Sequence, residues 1–318
     1  IMNSKCQQTL INLLLFAKNE MYLKFSPMIN SLIYKAKVFR TLFVSDERYL
    51  KKRFINKLGY TPNFNQPESF NEKVTARMIF ERSALHTKLA DKSAVRELIK
   101  DRIGEKHLVP LIGTYRDFKN IDFDQFPSQF VLKCTHDSGS AIVCRDKGTF
   151  DVNRAESKLN NSLKMNMYYR KREWHYKNIS PLILAEHYVD LYRDANTNAT
   201  ITTCRVHCFE GQPKYIEVDV QGSDGTEYSN IYDTSWVLQP FTVDCKENTP
   251  EAVIEPCKMH KMVELSEQLC LEYGYSRIDF LLSQDEVLFS EITLTPNAGR
   301  MVISPVEWDV KLGELWRS

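Results

Sequence analysis

The sequence predicts an α+β protein, on three observations. Ser69-Phe70-Asn71-Glu72 has the form of a capping box, in which Ser69 caps a helix and Glu72 reaches back to it. Phe130-Val131-Leu132-Lys133-Cys134, a polar Thr135-His136-Asp137-Ser138-Gly139-Ser140 and Ala141-Ile142-Val143-Cys144 read as strand, loop and strand. The last third holds two hairpins, 202–209 with 214–220 around Glu210-Gly211-Gln212-Pro213, and 276–282 with 287–294.

Taken in order, residues 8–58 mix apolar side chains with Lys24, Lys35, Lys37, Arg40, Lys51, Lys52 and Arg53 and read as two or three short helices. They form either a helical extension packed on the body or a basic amphipathic segment resting on a membrane surface. A Pro/Asn-rich turn over 61–67 leads to a helix over 70–82, and Asp91 caps a second helix that runs to about Lys100 and is ended by Gly104. The strand, loop and strand follow, then a helical stretch over 151–167 and an extended run over 181–186. Between the two hairpins lie a loop-rich stretch and a helix with Met262, Leu265 and Leu269 on one face, stopping near Gly274.

Composition narrows the function. With 318 residues and a 43% apolar share the chain can bury a large core without metals or disulfides. Lys and Arg number 42 against 41 Asp and Glu, so no basic field exists to hold a nucleic acid backbone. The eight cysteines contain no CxxC pair. Cys204 and Cys208 fall on one strand face and His207 on the other, which suits buried small residues better than a metal site. The apolar run at 10–17 is far short of a membrane span, and no signal-peptide pattern is visible, so cytoplasmic residence is expected.

The chemistry concentrates in the final hairpin. Arg277 and Asp279 share a strand face, and Glu291 on the return strand joins them if Leu282 lies opposite Glu286, a register that sets Arg277 opposite Glu291. A one-residue slip turns Glu291 away, so the reading requires an odd loop or a bulge. Two carboxylates and an arginine on one sheet face suit Mg²⁺ carried by a nucleotide phosphate; taken alone, they also fit an exposed salt-bridge ladder. Lys133, in an apolar strand directly before a Ser/Gly loop, supplies a positive charge for phosphate oxygens that loop amides could cover.

Asp91-Lys92, Val131-Leu132-Lys133 with its loop, Leu184-Ala185-Glu186-His187-Tyr188-Val189, Arg277-Ile278-Asp279 and Glu291-Ile292-Thr293-Leu294-Thr295-Pro296 occur in an order that resembles ATP-grasp ligases. Phe70-Asn71-Glu72-Lys73, the 132–140 segment, Arg172-Glu173-Trp174 and Glu307-Trp308-Asp309-Val310-Lys311-Leu312-Gly313 look like the TupA-like ATP-grasp family, associated with bacterial surface polysaccharides and teichuronopeptide. The resemblance implies two α+β lobes clasping ATP, with the chain divided into a helical extension at 1–66, a first lobe at 67–189 and a second at 190–318.

The resemblance also implies roles. Lys92 and Lys133 hold ATP phosphates under Ser138, Gly139 and Ser140. Glu186 accepts from the adenine amino group, and the Val189 backbone meets the ring edge. Asp279 and Glu291 bind Mg²⁺, with Thr293 where superfamily members commonly carry Asn. Arg277 faces the transferring phosphoryl group, and Arg205 stands as a second cation. His136 and Asp137 either cap the loop or touch substrate. His187 and Tyr188 read as hinge packing, and Trp174, Trp236 and Trp308 as core aromatics or sugar platforms. The implied reaction joins an amine or amino acid to a uronic acid of a capsular or cell-wall glycan. A saccharide kinase is the alternative. A glycosyltransferase would rest on Asp122-Phe123-Asp124, which reads as a loop feature, and a degenerate nucleotide binder would rest on Thr293 alone.

Overall fold

The computed structural model describes residues 31–194, 197–251, 253 and 255–317, so the apolar run at 10–17 and Lys24 lie outside the described residues. The chain divides into two compact units between Ser45 and Asp46. In the first, a helix over 31–40 and the turn after it expose Leu32, Ile33, Phe39, Leu42 and Phe43. No helix among the described residues is long and apolar enough to cross a membrane.

The second unit opens with α1 (Asp46–Leu58), so this helix belongs with the body. Its Phe54 packs on Phe64 and Ala76. The capping box forms as the sequence dictates: Glu72 N–H donates to Ser69 Oγ at 3.2 Å, and Ser69 N–H donates to Glu72 Oε2 at 3.1 Å. It opens α2 (Phe70–Phe80), followed by α3 (Ala84–Ala90) and α4 (Val95–Ile103). Asp91 holds the turn before α4 by accepting from Ser93 and Ala94 N–H, and Gly104, with a φ of 96°, ends the helix.

A four-stranded antiparallel sheet has the order β1 (Leu111–Tyr115), β4 (Ile183–His187), β2 (Phe130–Cys134), β3 (Ile142–Cys144). Two helices, α5 (Val152–Leu163) and α6 (Met167–Lys171), lie between β3 and β4 in sequence. Ala155 and Leu159 of α5 fill this sheet's core with Phe130, Leu132, Ile183 and Ala185.

The larger antiparallel sheet uses β5 (Thr200–Phe209), β6 (Gln212–Gln221), β7 (Glu227–Asp233), β9 (Tyr275–Leu282) and β10 (Val287–Thr293) in the order β10-β9-β5-β6-β7. Two short strands, β8 (Thr242–Val243) and β11 (Ile303–Ser304), pair with each other. Alternation puts Cys204, Val206, Cys208, Ile216, Val218, Ile278 and Phe280 into one core with α7 (Met259–Leu269) and α4. Arg205, His207, Glu217, Asp219, Arg277 and Asp279 fall on the other face.

The cores are not divided by a cut at residue 189. Leu89, Val95, Ile99 and Leu108 pack with the larger sheet, and Phe70 and Val74 pack with Phe209, Tyr275 and Leu312. The helices before β1 therefore belong with the second sheet. Much of the Phe70-Asn71-Glu72 and Trp308-Asp309 pattern serves this docking. Asn71 exchanges hydrogen bonds with the Met301 backbone at 2.9 and 2.8 Å, and its own N–H donates to Asp309 of α8 (Glu307–Glu314) at 2.9 Å. Gly299, with a φ of 67°, lies so close to α2 that a Cβ would collide with Thr75 Oγ1.

Two hairpin details depart from the sequence reading. The β5–β6 connection is only Glu210-Gly211, both with positive φ, the two-residue turn whose twist matches antiparallel strands. In the β9–β10 hairpin Leu282 lies opposite Val287 rather than Glu286, leaving a four-residue loop. The register then shifts between Phe289 and Glu291, so a bulge at Ser290 sets Glu291 opposite Asp279 and Thr293 opposite Arg277. Glu291 thus reaches the expected face by the bulge, two positions along β9 from the expected partner Arg277.

Candidate active site

The charged face of the larger sheet is built around Asp279. Arg277 grips it through two hydrogen bonds of 2.7 Å, and Arg277 Nη2 also donates to Thr293 Oγ1 at 3.2 Å. Thr293 in turn donates to Glu291 Oε1 at 3.4 Å. Arg205, one strand over, binds Glu217 at 2.8 Å, binds Asp219 more closely and comes within 3.9 Å of Asp279. Lys246 holds the other oxygen of Asp219 at 2.7 Å, and His207 lies 3.3 Å from Glu217.

The smaller sheet supplies Lys133, and the turn and helix before β1 supply Lys92 and Arg96. Lys133 Nζ lies 2.6 Å from Glu186 Oε2, while Arg96 holds Oε1 at 3.0 Å. Both Glu186 oxygens are engaged; a carboxylate has about four acceptor positions, so it keeps capacity for a further donor. Lys92 spans the two halves of the site: its Nζ donates to the Asp137 carbonyl at 2.8 Å and pairs with Glu291 at 3.1 Å.

Ser138 and Gly139 form the exposed tip of the loop, and Gly139 has a φ of 99°. Ser140 is buried. Its hydroxyl donates to Asp137 at 2.6 Å and accepts from Cys134 N–H at 2.8 Å, so an outward contact from this residue falls to its backbone. His136 is fully buried and bonded to the Ser162 and Met165 carbonyls, and it holds the loop against the end of α5. Val189 lines a cavity of about 500 Å³ with Pro110, His187, Asp190, Glu286 and Leu288, at the end of β4 beside the β9–β10 loop. Trp236 stacks on Tyr232 at 4.2 Å and Trp308 on Phe241 at 4.4 Å, placing both rings in packing roles.

Burial sets the proton affinities. It pushes the Asp279 carboxyl up to about 6 despite Arg277, with Glu291 adding to the rise. Lys92 holds Glu291 down to about 2 against the effect of burial. Burial disfavours the charge on Arg277 and on Lys92, but Asp279 and Glu291 respectively outweigh it and raise both. Glu217 is also opposed by burial, and His207 and Arg205 hold it below the ordinary range.

In the folded protein Asp279 binds its proton more tightly than its ordinary value of 3.8. Its contribution to stability is therefore complete below that value and lost as pH rises through about 6, an effect on the order of 2–3 kcal/mol. Unfolding free energy of the metal-free protein, compared between wild type and Asp279→Asn from pH 4 to 7, should show this slope in the wild type alone. Parallel curves would contradict the assignment.

For Mg²⁺ the donor set fits. Asp279 and Glu291 are cross-strand partners on one face, both are oxygen donors, and Thr293 adds a hydroxyl beside them. Among the described residues no three His, Cys, Asp or Glu converge as a metal cage.

Arg96, Glu217, Asp219 and Lys246 join the site although no motif names them. Glu217 and Asp219 were detectable, since they alternate along β6 in the strand paired with Arg205. Lys246 and Arg96 come from a loop and a helix and carry no local signal.

Residues 72–317 match the family described as TupA-like ATPgrasp. No functionally curated protein is significantly similar in sequence. Among solved structures, similar ones include a D-alanine–D-alanine ligase from Bacillus anthracis complexed with ATP, 12% identical, covering 65% of this chain and 54% of that one, with a TM-score of 0.36. An L-amino acid ligase from Bacillus licheniformis is 11% identical, covering 72% and 49%, with a TM-score of 0.43. The chain spans about half the length of these two structures. With the family matched over most of its length, the chain belongs to the TupA-like ATP-grasp family.

Proposed function

We propose that the protein is an ATP-dependent carboxylate–amine ligase. The observation that carries this reading is the Lys92–Glu291 contact of 3.1 Å, which links the cations beside the Ser/Gly loop to the carboxylate face of the larger sheet. ATP lies with its base in the cavity that Val189 lines at the end of β4, with its amino group toward Glu186 of the same strand. Its phosphates run along Lys133 and Lys92 under Ser138 and Gly139. Magnesium held by Asp279, Glu291 and Thr293 would neutralise charge on the phosphates.

The acceptor carboxylate attacks the γ-phosphorus, the bond to the β-phosphate oxygen breaks, and ADP leaves. The amine then attacks the acyl carbon of the acyl phosphate, expels inorganic phosphate and gives up a proton to leave the amide. Arg277 faces the transferred phosphoryl group and Arg205 supports it, so this chain's main task is placement and charge neutralisation. The acceptor is a uronic acid of a bacterial surface glycan and the donor of nitrogen an amino acid. ATP as co-substrate favours the cytoplasm, and the exposed apolar side chains over 32–43 favour contact with the inner membrane face.

The test pairs uronic acids with amino acids in the presence of Mg-ATP. Phosphate release that requires both partners, with an amide product by mass, is expected. A phosphosugar formed with ADP but without free phosphate would replace the ligase reading by the kinase.

A further inference from the structure

A second cavity, of about 610 Å³, lies beside the loop that follows β10 and takes no part in the roles above. Its wall carries Arg53 and Lys57 from α1, Lys171 from the end of α6, and Arg300, against one carboxylate, Asp244. None of these four cations forms an ion pair among the described residues. Arg53 lies 5.7 Å from the Tyr49 ring centroid, and Arg300 donates to the Ala298 carbonyl at 2.8 Å. Asp244 is occupied by the loop itself, accepting from Val302 N–H at 3.1 Å and from the Asn297 amide.

Four like charges around one opening repel one another; the Glu173 carboxylate acts on Lys171 and Arg300, but burial raises its proton affinity, so an added anion still relieves the repulsion. The backbone of the same region is unusual. Asp244, Cys245, Asn297 and Ala298 all have φ between 47° and 59°, a conformation that non-glycine residues adopt at a cost and that clusters at binding sites. The cavity adjoins the candidate active site along the chain, since Asn297 and Arg300 of its wall follow Thr293 in the loop after β10. Thr295, between Thr293 and Asn297, donates to Glu173 at 2.9 Å; Glu173 is 6% exposed, and its second oxygen has no protein partner. The volume lies within the roughly 300–1,000 Å³ usual for small-molecule sites.

We propose that this cavity binds anionic groups of the acceptor, namely carboxylates or phosphates carried on units of a saccharide chain next to the one that reacts. The proposal rests on the ligase reading and gives its substrate class: a polyanionic oligosaccharide rather than a free monosaccharide.

The test is calorimetric titration of the full chain, without nucleotide, with trigalacturonate, a glycerol phosphate trimer and neutral maltotriose, alongside thermal shift with Mg-ATP. At least one anionic probe should bind, and which one identifies the charged group; maltotriose should not. Arg53→Gln with Lys57→Gln, both exposed on α1, should weaken binding by roughly tenfold per cation, and Lys171→Gln should do so from a different element. The Mg-ATP shift should be unchanged in every variant. Failure of both anionic probes, equal binding of maltotriose, or affinity indifferent to these substitutions would overturn the proposal. Loss of the wild-type Mg-ATP shift with charge-dependent anion binding intact would instead remove the ligase reading and leave the anion site standing.

Discussion

Lys133→Ala is expected to lower ATP turnover by roughly 10²–10³-fold while the protein stays folded. Lys133 is the cation of β2 that stands directly before the Ser/Gly loop, and its ion-pair partner, Glu186, reaches it from the neighbouring β4. Removing the ammonium does not strand that buried carboxylate, because Arg96 still holds its other oxygen at 3.0 Å. The unfolding midpoint should therefore move little even as activity collapses. Arginine should not rescue the loss, since its planar fork cannot present a compact point charge at the same place. Turnover and thermal unfolding measured side by side check this, and activity within twofold of wild type would remove Lys133 from the site.

Glu291→Gln is expected to reduce turnover by about 10³-fold and to raise the Mg²⁺ concentration needed for the activity that remains. The substitution keeps shape but leaves Asp279 as the one carboxylate of the cross-strand pair. Lys92 loses its countercharge yet keeps the Asp137 carbonyl at 2.8 Å. Breaking a buried pair costs about 3–5 kcal/mol. With 31% of the Glu291 side chain exposed, a cost of about 1–2 kcal/mol is the better expectation here. A steady-state Mg²⁺ titration at saturating ATP distinguishes this from plain destabilisation: a mere folding defect would lower the plateau without moving the midpoint.

Much of this architecture was legible in the residues, and what was not has physical reasons. The capping box and the Lys133 strand with its loop form where local chemistry puts them, and both main hairpins form too, though with a shorter β5–β6 turn and a shifted β9–β10 register. β7 carries little signal in the sequence because its buried positions include the polar Ser229 and Asn230, the second of which is held by Tyr232 and Thr249. The bulge at Ser290 has no signature in a seven-residue strand, although it decides which face Glu291 occupies. The resemblance places Ser140 over the phosphates; only the fold shows its hydroxyl spent on Asp137. The basic cavity joins residues some 250 positions apart, Arg53 and Arg300, so no window of sequence contains it. The motif residues Asn71 and Asp309 are 238 positions apart in the chain, and their hydrogen bond docks α2 against α8.

The most direct test of the account is calorimetric titration of the wild-type protein with ATP, with and without Mg²⁺, at nucleotide concentrations up to about 1 mM. One saturable site is predicted, tighter with Mg²⁺ and weakened by Lys133→Ala. The absence of any binding in wild type, or binding indifferent to both Mg²⁺ and Lys133, would contradict the claim that these two sheets close on ATP.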